Sequence, residues 1–349
     1  MARAYLDWNA TAPLRPEARA AMIAAMDLVG NPSSVHAEGR AAKALIEKAR
    51  RQVAAAFGAE GADVVFTSGA TEAAALALAG RGLVCAGIEH DAVAAWCDDG
   101  LRVDERGLVS VPDPARATLQ LANSETGVIQ DLPEGLAVTD ATQGFGKIPF
   151  AFTWSGADMA LVSAHKIGGP KGVGAIVIRR GLELEPRIRG GGQEMGRRSG
   201  TENLIGIAGF GAAAEAAARD LAAGTWDRVA KLRNILEKNI AESETTTIFV
   251  GKDANRLPNT SCFITPGWKG ETQVMVMDLA GFAVSAGSAC SSGKVKASRV
   301  LQAMGFDSAE AASAIRVSLG PDTSEDDVLR FCDAWTRENQ KARARARSG

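Results

Sequence analysis

Apolar residues follow two alternating patterns along the first two thirds of this chain. Short runs of Val, Ile, Leu, Met and Ala predict buried strands, and longer Ala-rich stretches with apolar positions at helical spacing predict the helices between them. The strands are predicted at 64–66, 83–86, 118–122, 137–140, 159–163 and 175–178. Because strands that alternate with helices form sheets covered on both faces, the pattern predicts an α/β fold with a mostly parallel sheet.

The helices of this region carry start and stop signals. They are predicted at 15–26, 35–57 and 71–79, with Pro16 near the start of the first and Gly58 ending the second. The first two helices precede the first predicted strand, and the third fits between the strands at 64–66 and 83–86.

The pattern changes after Asn203. Long helices are predicted at 204–221 and 225–241, followed by strands at 248–250, 261–265 and 315–319 and by helices at 272–279 and 324–337. We therefore expect a large domain formed by 14–223 and a smaller α/β domain formed by 1–13 and 224–349.

Composition and charge indicate which classes of protein this chain can belong to. The chain has 349 residues, 46% of them hydrophobic, and a formal net charge of −2, which is ordinary for a globular protein and gives no reason to expect a nucleic acid or a membrane as partner. Its apolar runs stay short of the roughly 20 residues of a membrane span, and its start lacks the pattern of a signal peptide, so a cytoplasmic protein is expected. The five cysteines include no CxxC pair, so we expect no metal site and no disulfide framework.

Polar motifs follow several of the predicted strands, where ligands of open α/β sheets bind. Small residues from Ser68 to Glu72 lie between a strand and a helix, and such a turn can bind a phosphate at the helix N-terminus. Taken alone, this motif is more often an ordinary strand-to-helix turn with Thr71 as the N-cap of the helix.

An acid and a lysine follow two further strands. Asp140 ends the strand at 137–140 and Gln143 follows it, while Lys166, framed by Ser163 and His165, comes after the strand at 159–163. Pyridoxal phosphate (PLP) needs one lysine for a Schiff base and one carboxylate for its ring nitrogen. This pair of motifs therefore predicts a PLP site, although a capping aspartate and a solvated lysine are the common alternatives for each residue alone.

Three more segments carry candidate chemistry. His90 follows the strand at 83–86 and is a candidate acid or base, although a lone histidine is more often structural. Cys290 lies in a loop of small residues with Lys294 and Lys296 nearby, which favour a reactive thiolate. Arg316 interrupts an apolar strand pattern and can bind a carboxylate or form a structural ion pair.

Taken together, these motifs resemble the cysteine desulfurases of the NifS/IscS type, in the class V aminotransferase group of fold type I PLP enzymes. The similarity runs over nearly the whole chain. Besides the segments above, it includes 6–13, 30–34, 190–194, 198–203 and 287–291.

The resemblance implies a role for each candidate. Lys166 would bind the cofactor and move the substrate Cα proton, Asp140 would pair with the ring nitrogen, Gln143 would bind the ring hydroxyl, and His90 would stack on the ring as an acid/base. The implied phosphate ligands are Ala70, Thr71, Ser163, His165 and, from the other subunit of a homodimer, Thr201.

Substrate binding and sulfur transfer are implied in the same way. Asn123, Ser124 and Arg316 would bind the substrate, and Cys290 would take the sulfur of L-cysteine, leaving alanine and a persulfide for an acceptor protein in iron–sulfur cluster or thio-cofactor assembly. The family usually has a second asparagine where this chain has Ser124, and the loop at 295–298 also departs from its pattern. Alternatives are a transaminase or selenocysteine lyase of the same class, or a degenerate homologue that serves as an assembly partner.

Overall fold

The structure, a computed structural model, describes residues 3–286 and 297–348. The predicted nucleophile Cys290, with Lys294 and Lys296, lies outside the described residues. The α-helices are α1 (Pro16–Met26), α2 (Ala37–Ala56), α3 (Ala70–Leu78), α4 (Asp91–Ala94), α5 (Leu204–Ala222), α6 (Thr225–Ser243), α7 (Gly270–Leu279), α8 (Arg299–Ala303), α9 (Ser308–Ala311) and α10 (Glu325–Ser348).

The strands are short. They are β1 (Ala4–Tyr5), β2 (Asp63–Thr67), β3 (Val84–Ala86), β4 (Asp98–Val103), β5 (Val109–Ser110), β6 (Thr139–Asp140), β7 (Met159–Ser163), β8 (Gly174–Ile178), β9 (Ile248–Phe249), β10 (Thr260–Ile264), β11 (Phe282–Ala283), β12 (Ser285–Ala286) and β13 (Ala314–Ser318).

The central sheet has the order β2–β8–β7–β6. β6 pairs parallel to β7, while β8 runs antiparallel to both of its neighbours. Single parallel bridges, Thr118 to Val138 and Val84 to Ala117, carry the sheet on toward β3, β4 and β5. Every residue of β7 and β8 is buried, which agrees with their uninterrupted apolar sequence and with a sheet covered on both faces.

Helices α1, α2 and α5 pack together against one face of this sheet. Glycines on α5 permit the close approach, because a Cβ added at Gly211 would lie 2.7 Å from the Cα of Ala49 on α2, and one added at Gly209 would lie 2.7 Å from the Cγ of Met22 on α1. Side chains at these positions would push the helices apart. The opposite face is covered by α3.

A second sheet, with the order β12–β13–β10–β9, is antiparallel throughout. Its core is shared with α6, α7 and α10 and also with the start of the chain, because Ala4 and Leu6 are buried in it. β1 pairs with β11, so the first residues join the C-terminal part of the structure. This pairing supports the division into 14–223 and the remainder, which stays a prediction.

Most predicted elements form within a few residues of the expected bounds, one expected strand does not form a continuous strand, and several short elements, β4 among them, were not predicted. The segment 118–122 makes only isolated bridges, because its residues also bond to the loop at 128–130 instead of forming one continuous ladder. The polar segment that forms β4 was not predicted as a strand, since it pairs through its backbone and leaves most of its side chains exposed or half-buried.

Candidate functional site

A cavity of about 600 Å³ opens at the ends of β6 and β7, beside the N-terminus of α3. It brings together nine of the sequence-predicted site residues with residues of nearby loops. The lining includes Ala70, Thr71, His90, Ser124, Asp140, Gln143, Ser163, His165 and Lys166, together with Ala10, Thr11, Gln120, Thr142 and Lys171.

One end of the cavity is built to receive an anion. Ala70 and Thr71 form the first turn of α3, where backbone N–H groups have no partner within the helix and the dipole is positive. Ser163 lies at the end of β7, and His165 follows it in a short 3₁₀ turn. Backbone amides, a hydroxyl and an imidazole therefore line this end, and Glu72, the acid of the same turn, is paired with Arg198.

The imidazole of His165 is held neutral. Its Nδ1 lies 3.1 Å from Thr11 Oγ1, and burial, followed by the positive charges of Lys166, Lys171 and Lys147, lowers the pKa of His165 to about 4. At neutral pH the ring can donate one hydrogen bond to an anion without carrying a charge of its own.

Lys166 projects from the same 3₁₀ turn into the cavity wall. Its Nζ donates to the backbone oxygens of Asn9 at 2.6 Å and Ala10 at 2.9 Å. The amine is thus held at the floor of the cavity by the N-terminal segment rather than extended into solvent.

The opposite side of the cavity presents Asp140 and Gln143. Asp140 ends β6, and its Oδ1 accepts from the backbone N of Thr142 at 2.9 Å. Gln143 is buried, and its Nε2 donates to Asn9 O at 3.0 Å. A carboxylate and an oriented amide therefore face the space beside Lys166.

His90 caps α4 and lines the cavity. Its Nδ1 accepts a hydrogen bond from the backbone N of Ala92 at 3.1 Å, so a neutral ring carries its proton on Nε2. This bond fixes both the ring and its tautomer.

Three expected site residues lie elsewhere in this structure. Asn123 is fully buried and occupied by a turn: its Oδ1 accepts from the backbone N of Glu125 and Thr126 at 2.8 Å, and its Nδ2 donates to a backbone oxygen. Thr201 is exposed and does not line the cavity of its own chain. The amide of Asn123 therefore closes a turn rather than facing the cavity, which differs from the expectation.

Arg316 is also buried outside the cavity lining. Its guanidinium donates to Asp7 Oδ1 at 2.6 Å and to the backbone oxygen of Ser124 at 3.0 Å, while its Nε is buried without a partner. Arg316 contacts the cavity wall through Ser124. Its bond to Asp7 is the structural ion pair that the sequence offered as the alternative to a carboxylate-binding role.

Two buried ionisable residues of this site were not predicted. Glu89 is 1% exposed, its Oε1 accepts from the backbone N of Gln120 at 2.7 Å, and its Oε2 has no partner. Burial, with Asp140 adding repulsion, raises the pKa of Glu89 well above its ordinary value. Lys147 lies behind Gln143, and burial holds its pKa well below the ordinary value. Glu89 directly precedes His90, and Lys147 follows Gln143 by four residues. This closeness to predicted site residues was the sequence signal for both.

Comparisons with known proteins agree with this geometry. The family model for class-V aminotransferases matches residues 4–97 and 107–331. The chain is 39% identical to a cysteine desulfurase of Cereibacter sphaeroides over 95% of both proteins, and 36% identical to the cysteine desulfurase IscS of Dictyoglomus turgidum over 97% of this chain and 95% of that one. It superimposes on a NifS-like protein of Rickettsia africae with a TM-score of 0.87 and 32% identity, covering 96% of this chain and 99% of that one.

Proposed function

This chain belongs to the class-V aminotransferase family and is a PLP-dependent cysteine desulfurase of the NifS/IscS type, and we propose that the cavity around Lys166 is its active site. The observation that supports this assignment best is the convergence of Lys166, Asp140 and the α3 N-terminus on one cavity. A solved relative with 28% identity and a TM-score of 0.76, described as SspA in complex with cysteine, supports cysteine as the substrate.

The donor set of the cavity fits PLP. Phosphate would be held by the first-turn amides at Ala70 and Thr71 with Ser163 and the neutral His165, and Asp140 would accept a hydrogen bond from the protonated ring nitrogen. Thr142 Oγ1 is buried at the cavity without a partner, which leaves one further hydroxyl for a ligand.

When bound, PLP supplies an electron-accepting ring that stabilises negative charge at the substrate Cα. In this proposal Lys166 holds the cofactor through its amine and moves the Cα proton, and the His90 Nε2–H donates a proton to the reacting substrate. Gln143 orients the ring hydroxyl, and Ser124 with the buried Arg316 behind it receives the substrate carboxylate. Asn123 shapes that wall by closing the turn that carries Ser124.

Cys290 is the proposed nucleophile. Its sulfur forms a bond to the sulfur of L-cysteine as the substrate Cβ–S bond breaks, and the carbon takes up a proton to give L-alanine. The transferred sulfur is oxidised and the substrate carbon reduced, so a persulfide on Cys290 balances the reaction. We propose that this persulfide passes to an acceptor or scaffold protein in iron–sulfur cluster or thio-cofactor assembly.

We also propose a cytoplasmic homodimer in which Thr201 completes the phosphate site of the second copy. Two observations support it: Thr201 is exposed and outside its own cavity, and an apolar surface extends over Ile23, Met26, Val29 and Val35, which are 56–87% exposed. Among the described residues, no helix has the length and apolar content needed to cross a bilayer.

The assay is formation of alanine and persulfide from L-cysteine by the PLP-loaded protein. Cys290→Ser is expected to lose persulfide formation while keeping the visible absorption of the bound cofactor, and Lys166→Ala is expected to lose the covalent attachment that borohydride traps. Cys97→Ser is the matched control, because Cys97 is a half-buried thiol outside the cavity lining. An undiminished rate in Cys290→Ser would remove the nucleophile assignment.

A further inference from the structure

Lys147 is a lysine buried in the interior of the large domain. It is 3% exposed, and its Nζ donates to Gln143 Oε1 at 2.7 Å and to Asn9 Oδ1 at 3.3 Å. Both acceptors are neutral amide oxygens. Within the described residues, Lys147 takes part in no ion pair.

Such an amine is costly to bury. Desolvation without a carboxylate partner disfavours its charge, and the positive charges of Lys166 and Arg316 add to that effect, which together hold the pKa of Lys147 well below its ordinary value. A methionine of similar length would fill the same space without this cost. The position therefore calls for an explanation other than stability.

The contact between Lys147 and Gln143 supplies such an explanation. Because an amine donates to Gln143 Oε1, the amide nitrogen must face the other way, toward Asn9 O and the cavity. Without Lys147 the Oε1 atom would lack this buried partner, and the amide would be free to rotate.

Asn9 joins the same arrangement to the lysine of the active site. Its backbone oxygen accepts from both Lys166 Nζ and Gln143 Nε2, and its Oδ1 accepts from Lys147 and from Asn259 Nδ2 at 3.0 Å. The side chains of Lys147, Gln143 and Lys166 thus share one anchor.

We propose that Lys147 is a positioning residue that fixes the amide of Gln143 with its nitrogen toward the cavity, where it binds the ring hydroxyl of PLP. The inference rests on the proposed function, because it needs Gln143 to contact the cofactor. Lys147 itself acts through Gln143 and Asn9.

A double-mutant cycle on cofactor affinity tests the proposal. Apo-protein is titrated with PLP, and binding is followed by absorbance for the wild type, Lys147→Met, Gln143→Ala and the double variant. We expect Lys147→Met to weaken binding about tenfold, as the loss of one polar contact does, and to add little further loss once Gln143 is alanine. Lys48→Met on the exposed face of α2 is the control and should bind as the wild type does.

A second variant separates positioning from folding. Lys147→Gln keeps a neutral N–H donor and is expected to retain more affinity than Lys147→Met. Equal losses from Lys147→Met in both backgrounds, or wild-type affinity in that single variant while Gln143→Ala binds weakly, would overturn the inference. Wild-type affinity in Gln143→Ala would instead refute the contact assigned under the proposed function.

Discussion

Replacement of Glu89 by glutamine tests the electrostatics beneath the active site. The carboxyl is fully buried, and its Oε2 has no partner to stabilise a negative charge. Asp140 adds repulsion, and the backbone N–H of Gln120 and the charge of Arg299 oppose it without cancelling the raised pKa. In the folded protein Glu89 is therefore a neutral acid at a pH where it is ionised in the unfolded chain.

The sign of the pH dependence follows from this difference. An unfolded glutamate loses its proton near a pKa of about 4.3, whereas folded Glu89 keeps its proton to a higher pH, so this residue makes the wild type less stable as pH rises between the two values. Each pH unit between the unfolded and the folded pKa costs about 1.4 kcal/mol of stability.

Glutamine at position 89 carries no such dependence. The free energy of unfolding of the Glu89→Gln apo-protein should therefore rise relative to the wild type by about 1.4 kcal/mol for each pH unit above the unfolded pKa, until the folded carboxyl ionises. Denaturant unfolding at several pH values above about 5.5 measures this rise, with the exposed Glu60→Gln as control. Glu125→Gln gives a comparison, because burial raises the pKa of Glu125 to about 7 and its contribution should level off above that pH.

A difference between Glu89→Gln and the wild type that stays constant with pH would show that the carboxyl is ionised in the folded protein. Burial and a missing partner would then not suffice to keep Glu89 protonated, whatever the size of the constant difference.

Two further predictions concern stability. Glu194→Ala should lower the free energy of unfolding by about 3–5 kcal/mol. It removes the buried carboxylate that binds the half-buried Arg50 at 2.7 Å, which leaves only the more exposed Glu47 at 3.2 Å, and it removes the acceptor of Phe66 N. A loss under about 1 kcal/mol in denaturant unfolding would contradict this. Gly320→Ala should lower the free energy of unfolding by at least about 1–3 kcal/mol, since its Cβ would lie 1.9 Å from the indole of Trp8. An unchanged midpoint of thermal unfolding would contradict this, because it would show that the clash is relieved at no cost.

Much of the fold could be predicted because apolar runs and helix signals report burial directly. β7 matches its predicted range of 159–163, and the helix predicted at 204–221 forms as α5. The polar β4 has neither signal, since its pairing is made by backbone groups alone. Such strands are specified by their neighbours in space, which a single sequence does not reveal.

The site could be predicted where the type of a residue and its place after a strand indicate a chemical role. Lys166 and Asp140 follow strands and line one cavity, as strand-end positions suggest. Lys147 carries no such mark, because a lysine between glycine and isoleucine looks like a surface residue until the packing around it is known. Asn123 shows the reverse case, because its amide is committed to a turn.

The pairing of β1 with β11 has a consequence for biosynthesis. Ala4 lies opposite Phe282, so the first strand leaves the ribosome long before its partner exists. At about 5–20 residues per second, translation needs roughly 15–55 s to cover that interval, and the strand at the amino end must wait with an unpaired edge while the central sheet assembles.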